Sequence, residues 1–203
     1  DVTAYATNAI AAKPTGSAAL NMNSVVYNPG TPTETTVAYD LNLEARNQID
    51  FGGELGGRIS ADGDVTLRVG TNSQGGTINI AVDRNTADVD ALGRIQIDGD
   101  FVADASATGA DDFFTVRNNG GTGIGEDATA GNININVTDG GQFNVDGTAD
   151  CLANAQGGKG EQTNGFAIAG DISLTLSGAA SEINLNSDAN FNAGTLRANT
   201  GKI

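Results

Sequence analysis

The chain has 203 residues, of which 25 are acidic and 10 are basic, so its formal net charge is −15 at pH 7. This charge disfavours nucleic acids and anionic membranes as partners, because both need a positive protein surface. The sequence has no histidine and one cysteine, Cys151, which excludes a disulfide framework, histidine-dependent catalytic triads and tetrahedral zinc sites. No apolar run reaches the roughly 18 residues of a membrane-spanning helix, so we expect no membrane insertion.

Residues 1–36 differ in composition from the rest of the chain and contain all three prolines, Pro14, Pro29 and Pro32. We therefore predict two parts, an irregular N-terminal cap, linker or exchanged strand over residues 1–36 and a β-repeat domain over residues 37–203. An exchanged strand would pair with the sheet edge of a neighbouring subunit. Because the chain opens on an aspartate without a signal sequence, we expect a processed product or an excised piece.

From Val37 onward, short stretches alternate apolar and polar residues, which is the pattern of β-strands with one buried face. Each of three matching modules starts with a glycine-led strand, and the three strands span 76–82, 131–137 and 170–176. A second set of matching strands follows at 94–97, 142–145 and 182–185, and a third set is aligned at 100–103, 150–153 and 190–193. Such modules predict an all-β chain in which each unit buries the apolar face of its neighbour.

The modules differ in length, and we assign the difference to variable loops at 105–130 and 154–165. Asparagine is frequent at outward positions and turns. These asparagines either form hydrogen-bonded ladders between stacked units or simply serve turns and the wet strand face. A β-sandwich remains the alternative fold, because alternation alone does not distinguish parallel coils from antiparallel hairpins.

The glycine-led Gly-x-Ile-x-Ile strands, the Gly-Gly turn and the loops rich in Gly, Ala and Asp resemble the β-strand repeats of bacterial surface proteins. The family is that of filamentous-haemagglutinin-like and autotransporter-passenger proteins. The resemblance covers residues 76–203 well, residues 37–70 loosely and residues 1–36 not at all. It implies a right-handed parallel β-helix (β-solenoid), export across the outer membrane and a role in adhesion, a surface layer or an extracellular filament. The family pattern carries no catalytic residues.

Two Asp-Gly-Asp turns place carboxylates on either side of a glycine. Hard oxygen ligands at this spacing suit Ca²⁺, so we predict a calcium site at Asp62, Asp64, Asp98 and Asp100 and expect no other cofactor. The stretch 120–127 resembles a calcium-binding nonapeptide, but Gly125 stands where that motif has aspartate.

One enzymatic interpretation stays open, since paired carboxylates can cleave polysaccharides. The candidate acids are Asp111, Asp112 and Asp127, with Arg94 or Arg117 orienting a substrate. We expect no enzyme, because 5% aromatic residues and no tryptophan leave few platforms on which sugars could stack.

The sequence thus predicts a non-enzymatic extracellular structural protein at the cell surface. It would be a subunit or repeat segment of a bacterial surface filament, surface layer or adhesin, and its main partner would be copies of itself. Assembly would use β-edge or end-to-end contacts, with either the N-terminal segment or residues 195–203 as the joining surface. The alternative is an adhesin module that binds glycans or host surfaces through the loops at 105–130 and 154–165.

Overall fold

The computed structural model describes residues 2–6, 9–13, 19–21, 23–27, 34–38, 40–53, 56–84, 92–113 and 122–196. These residues form β-strands, turns and loops. Within those ranges there is no helix of the length and apolar character needed to cross a membrane.

The chain winds in successive coils, and a hairpin follows the first coil. The strands of the first three coils and of the hairpin are β1 (Val2–Ala6), β2 (Ala9–Ala12), β3 (Ala19–Asn21), β4 (Asn23–Tyr27), β5 (Glu34–Ala38), β6 (Leu41–Ala45), β7 (Gln48–Gly53), β8 (Arg58–Ala61), β9 (Val65–Val69), β10 (Thr77–Val82) and β11 (Arg94–Ile97). The strands of the later coils are β12 (Phe101–Asp104), β13 (Ala107–Thr108), β14 (Ala128–Thr129), β15 (Asn132–Thr138), β16 (Gln142–Val145), β17 (Ala149–Leu152), β18 (Ala155–Gln156), β19 (Ala167–Ile168), β20 (Ile172–Ser177), β21 (Glu182–Leu185), β22 (Ala189–Asn192) and β23 (Thr195–Leu196).

Each of the first five coils contributes one strand to each of three sheets, and the described part of the sixth contributes β22 to the first of them. Sheet 1 has the order β1-β6-β9-β12-β17-β22, sheet 2 the order β2-β7-β10-β15-β20, and sheet 3 the order β3-β8-β11-β16-β21. Every pair of neighbours in these sheets is parallel and joins strands of successive coils. The prediction of stacked parallel units in an all-β chain is confirmed. The alternative β-sandwich does not fit, because it would pair strands antiparallel within a sheet.

The glycine-led strands lie in the predicted register, since Ile78 pairs with Ile133 and Ile133 pairs with Ile172. In the third set of matching strands, Cys151 pairs with Phe191 as predicted, but the pairing of β12 with β17 is shifted. Phe101 pairs with Ala149, whereas our alignment placed it against Cys151. A shift of two residues keeps the same side chains on the inner face, so the alternation in the sequence cannot detect it.

The interior is a column of apolar side chains that stack from coil to coil. In sheet 2 the innermost positions of successive strands are Ile49, Ile78 and Ile133, and all three are fully buried. Phe101 and Phe143 meet edge to face inside the coils, with ring centroids 5.5 Å apart. Burial of the inward set is the main favourable contribution to the fold.

The described part of residues 1–36 belongs to the same stack. Strands β1, β2 and β3 pair in parallel with β6, β7 and β8 and so form a first coil, where we expected an irregular segment. The hairpin of β4 and β5 follows and is antiparallel. Residue 36 lies within β5, and the division into two domains stays a prediction.

The fourth and fifth coils carry a lateral arm that the earlier coils lack. Between sheets 1 and 2, the chain forms β13 and β14 in the fourth coil and β18 and β19 in the fifth, with β13 paired to β18 and β14 paired to β19. The arm has its own small core of Ala107, Ala128, Ala130 and Ala155. The segments that we predicted as variable loops therefore contain short stacked strands.

Gly131 supplies a test of the stacking. A Cβ atom built on this glycine would overlap the backbone oxygen of Gly76 in the coil below. We expect Gly131→Ala to lower the free energy of unfolding by about 1–3 kcal/mol or more, because the backbones must move apart. Gly194→Ala is the matched control, since the nearest atoms to its added Cβ are 3.4 Å away. Urea denaturation of both variants checks this, and equal effects would contradict it.

Candidate functional site

The corner that precedes sheet 1 holds a column of aspartates. The backbone N–H of Asp64 donates to Oδ1 of Asp40 (3.0 Å), and that of Asp100 donates to Oδ1 of Asp64 (2.8 Å). The N–H of Thr148 continues the column by donating to Oδ1 of Asp100 (2.7 Å). Each carboxylate therefore binds the backbone of the coil that follows it. Two of the four predicted calcium ligands, Asp64 and Asp100, have this role.

The other two predicted calcium ligands lie on the opposite side of the turn glycines. Nε2 of Gln96 donates to Asp98 (2.8 Å) and to Asp146 (3.3 Å), and the amide of Asn186 donates to Asp146 (2.7 Å). Asp62 also has an interaction partner. Side-chain amides between carboxylates reduce the repulsion of stacked like charges. Over the described ranges, no three acidic, cysteine or histidine side chains are grouped to hold a metal ion. The calcium site stays a prediction.

Most bonds from backbone N–H groups to side-chain oxygens in other coils run in one direction, and the N–H of Gly140, which donates to Oγ of Ser181 in the following coil (2.9 Å), is an exception. In the prevailing direction the donor lies in the later coil and the acceptor in the earlier one, as for Gly194 on Asn154 (2.8 Å) and Asp171 on Asn132 (2.9 Å). We did not predict this role from the sequence. The available signal was the recurrence of Asp directly before the strands of sheet 1, as at Asp64 and Asp100.

Side-chain amides at outward positions form hydrogen-bonded ladders between coils, which is one of the two roles expected of the asparagines. In sheet 2, Nδ2 of Asn79 donates to Asp50 (2.9 Å) and Nδ2 of Asn134 donates to Asn79 (3.0 Å). In sheet 3, Asn144 donates to Gln96 (3.2 Å), and Asn184 donates to Asn144 (2.9 Å). These bonds connect successive coils on the outer surface, parallel to the packing inside.

The acids considered for catalysis also bind backbone or hydroxyl groups. Asp111 accepts from the N–H of Lys159 and Asp127 from that of Phe166, both at 2.7 Å. The Thr122 side chain and backbone N–H donate to Asp112 and hold the pKa of its carboxyl below the ordinary value, the wrong direction for a general acid.

The two candidate arginines are Arg94 and Arg117. Nη2 of Arg94 donates to Oε1 of Gln96 (2.8 Å). Arg117 lies outside the described residues. The arrangement of the acids and of Arg94 provides no acid–base pair directed at a cleft, and the expectation of no enzyme stays a prediction.

The upper surface of the last described turn, from β20 to β22, is apolar and exposed; we call it the end face. It consists of the inward positions of β20, β21 and β22. Leu174, Leu176 and Phe191 are 44%, 53% and 41% exposed. One coil below, their register partners Ile135, Val137 and Cys151 are fully buried. The same position thus changes from core to surface at this end. Of the predicted joining stretch 195–203, residues 195 and 196 are described and lie in β23.

A second candidate surface is a polar groove beside the arm; we call it the arm groove. Its larger section has a volume of about 550 Å³ and is lined by Thr71, Asn72, Asp104, Ser106, Thr108, Gly109 and Ala110. An adjoining section of about 240 Å³ adds Glu44 and Arg68 and shares Thr71, Asp104 and Ser106 with the first. Because it joins residues of three coils and the arm, the spacing of motifs in the sequence did not reveal it.

The corner column can be tested at Asp100. We expect Asp100→Ala to lower the free energy of unfolding by about 0.5–1.5 kcal/mol, because the Thr148 N–H loses its acceptor. Asp100→Asn keeps an oxygen at this position and should cost less. Urea denaturation in the presence of a chelator measures both. If the two variants were equally destabilised, charge rather than the backbone bond would explain the role of Asp100.

Cys151 gives a test of burial. Its side chain is 1% exposed, and burial, with a smaller contribution from the charge of Asp150, raises the pKa of the thiol to about 12 from an ordinary 9.0. The native thiol is therefore protonated at pH 8.5, and we expect iodoacetamide to label it far more slowly than in urea. Its contribution to stability is present below pH 9 and is lost as the pH rises towards 12. Equal labelling rates in both states would contradict this.

Comparison of the chain with protein-family models, with curated proteins and with solved structures gives no match. The resemblance to filamentous-haemagglutinin-like and autotransporter-passenger proteins therefore rests on the repeat motifs alone and stays a prediction. The end face and the arm groove are the two surfaces from which a function can be argued.

Proposed function

We propose that this protein is a non-enzymatic extracellular structural protein, a subunit or repeat segment of a bacterial surface filament, surface layer or adhesin, whose copies join end to end. The observation that carries the proposal is the end face, where Leu174, Leu176 and Phe191 are exposed at positions that are core one coil below.

Two kinds of groups at this end favour association with another coil. The apolar surface of the exposed side chains is removed from water only when another surface covers it. The strands β20, β21 and β22 are the last strands of their sheets in the described part of the chain. Edge strands present backbone groups that can pair with a further strand. A stacked coil would satisfy both requirements together.

The first coil of a second copy is the partner we favour. Its strands β1, β2 and β3 are the opposite edges of the same three sheets. Ala4, Ala6 and Ala12 are small and partly buried there, so they leave room for larger side chains. Charges agree as well, because the fifth coil has Asp171 and Glu182 whereas residues 2–21 carry one charged side chain, Lys13. A head-to-tail contact of this kind does not close, and it generates a fibre.

Right-handed winding is part of the proposal. Parallel strands joined by crossover connections are right-handed in the great majority of proteins, because the twist of the strands favours that hand. The extracellular location is supported by the repeat motifs and by the net charge of −15, which keeps a surface protein soluble through self-repulsion.

Leu176→Lys tests the end-to-end contact. It places a charge in the end face and should raise the concentration needed for assembly roughly tenfold to a hundredfold, the equivalent of one buried leucine. Thr175→Lys is the matched control, because the neighbouring residue faces the other side of β20 and is exposed. Sedimentation and electron microscopy over a concentration series provide the measurement. Single particles of the unmodified protein at all concentrations would contradict the proposal.

The same experiment tests the predicted calcium site at Asp62, Asp64, Asp98 and Asp100. Imaging with and without a chelator separates the two contributions. Polymers that disappear on chelation would assign the corner carboxylates to calcium-dependent assembly. Polymers that persist, but are lost in Leu176→Lys, would assign assembly to the apolar contact and remove calcium from the proposal.

A second candidate function is a binding module for glycans or host surfaces that uses the segments 105–130 and 154–165. One observation favours it, since the described residues of both segments contribute strands to the arm, and Thr108, Gly109 and Ala110 of the arm line the arm groove. This function is compatible with the filament, because the groove lies on the side of the coils and not at the end face.

A further inference from the structure

The arm groove crosses several coils on the outer surface of sheet 1. Glu44, Arg68 and Asp104 occupy one register position in the adjacent strands β6, β9 and β12. Neighbouring strands are about 4.8 Å apart, so this column is roughly 10 Å long. Thr71 and Asn72 of the loop that follows β9 line the groove, and so does Thr108 of the arm, which is hydrogen-bonded directly to that loop.

The groove walls are held in place by hydrogen bonds. The N–H of Thr108 in the arm donates to the carbonyl of Asn72 in the loop (2.5 Å), and the N–H of Gly75 donates to the carbonyl of Thr129 (2.7 Å). At the base, the N–H of Ser106 donates to Oδ1 of Asp104 (2.9 Å). A groove whose walls are fixed before binding loses little entropy when a ligand enters.

The same bonds exclude one class of partner. A peptide that binds as an added strand needs a sheet edge with free backbone groups. At this edge of the arm, the N–H groups of Thr108 and Thr129 already donate to the carbonyls of Asn72 and Ser73. The groove therefore offers side chains rather than an open strand edge.

The lining groups match a hydroxylated ligand. Hydroxyls of Thr71, Ser106 and Thr108, the amide of Asn72 and the charged groups supply both donors and acceptors. Arg68 and Glu44 are 3.9 Å apart at their closest atoms, and their side chains are 58% and 47% exposed, so this ion pair is weak and open to a ligand. The lining has two carboxylates, those of Glu44 and Asp104, and one arginine, so its net negative charge disfavours polyanions. The smaller section also has Ala45 and Val69 in its lining, and neither section has an aromatic residue, so a bound sugar would be held by hydrogen bonds rather than by ring stacking.

We propose that the arm groove binds a neutral oligosaccharide, with Arg68 and Asp104 hydrogen-bonded to sugar hydroxyls. The two sections together fall within the range of about 300–1,000 Å³ typical of small-molecule clefts. This inference rests on the second candidate function and names its ligand class and residues. It does not depend on the filament, because a single copy contains the whole groove.

Titration of ¹⁵N-labelled protein tests the inference. The probes are neutral trisaccharides of glucose, galactose, mannose and N-acetylglucosamine, together with sulfated and uronate-containing oligosaccharides of similar length. We expect chemical-shift changes at Thr71, Asn72, Asp104 and Thr108 with at least one neutral trisaccharide. Shifts elsewhere, binding restricted to the charged sugars, or no binding at millimolar concentrations would overturn the inference. None of these results bears on the assembly of copies, which sedimentation measures separately.

Two substitutions locate the binding. Arg68→Gln should weaken binding of the active trisaccharide roughly tenfold or more, since a charged hydrogen-bond donor is lost. Arg58→Gln is the matched control, because Arg58 is also an exposed arginine, on the outer face of β8 in sheet 3. Asp104→Asn keeps an acceptor for the Ser106 N–H and so preserves the fold, yet it should weaken binding by a similar factor. Unchanged affinity in both groove variants, or equal loss in Arg58→Gln, would overturn the assignment.

Discussion

Stacking of one coil on the next in register is the constraint on which the rest of this structure depends. A single coil has too few inward side chains to form a core, so each apolar residue is buried only by its counterparts above and below. The column of Ile49, Ile78 and Ile133 shows the result, since all three are fully buried. Register also decides the outside of the molecule, because the same stacking brings Asn79 beside Asp50 and Arg68 beside Asp104.

Close backbone contact is the second requirement of such a stack. Gly76, Gly131 and Gly170 lead the strands of sheet 2, and any side chain on the latter two would overlap the glycine oxygen in the coil below. The corner has the same property, because a Cβ on Gly99 would approach within 2.5 Å of both the Gly63 backbone and the Asp64 carboxylate. The Asp-Gly-Asp turn is thus explained without a metal. Glycine permits the contact, and the second aspartate binds the next coil.

The sequence predicted the repeating part of the fold well and the surfaces poorly. The glycine-led strands carry period-two alternation and matching isoleucines, so their register could be read directly. Phe101 was misaligned because a two-residue shift leaves the inner face unchanged. The first coil was missed because its inward positions include small alanines, such as Ala4, which give little hydrophobic contrast.

The surfaces depend on contacts that are distant in sequence. Glu44, Thr71 and Asp104 form one groove only after three coils have stacked and the arm has folded beside them. The exposure of Leu176 likewise depends on its position in the last described turn, since its alternation is the same as that of the buried Val137. No local pattern distinguishes these residues from others of their type.

The prevailing direction of the bonds from backbone N–H groups to side-chain oxygens in other coils has a consequence for how such a chain can change in length. Each coil presents side-chain acceptors to the coil after it and donates its own N–H groups to the coil before it, as Asp100 does with Thr148 and Asp64. A duplicated coil inserted between two others would find acceptors below and donors above without any new chemistry. Deletion of a whole coil would be tolerated for the same reason. The architecture is therefore suited to evolve by gain and loss of entire turns, and an engineer could set its length in the same unit.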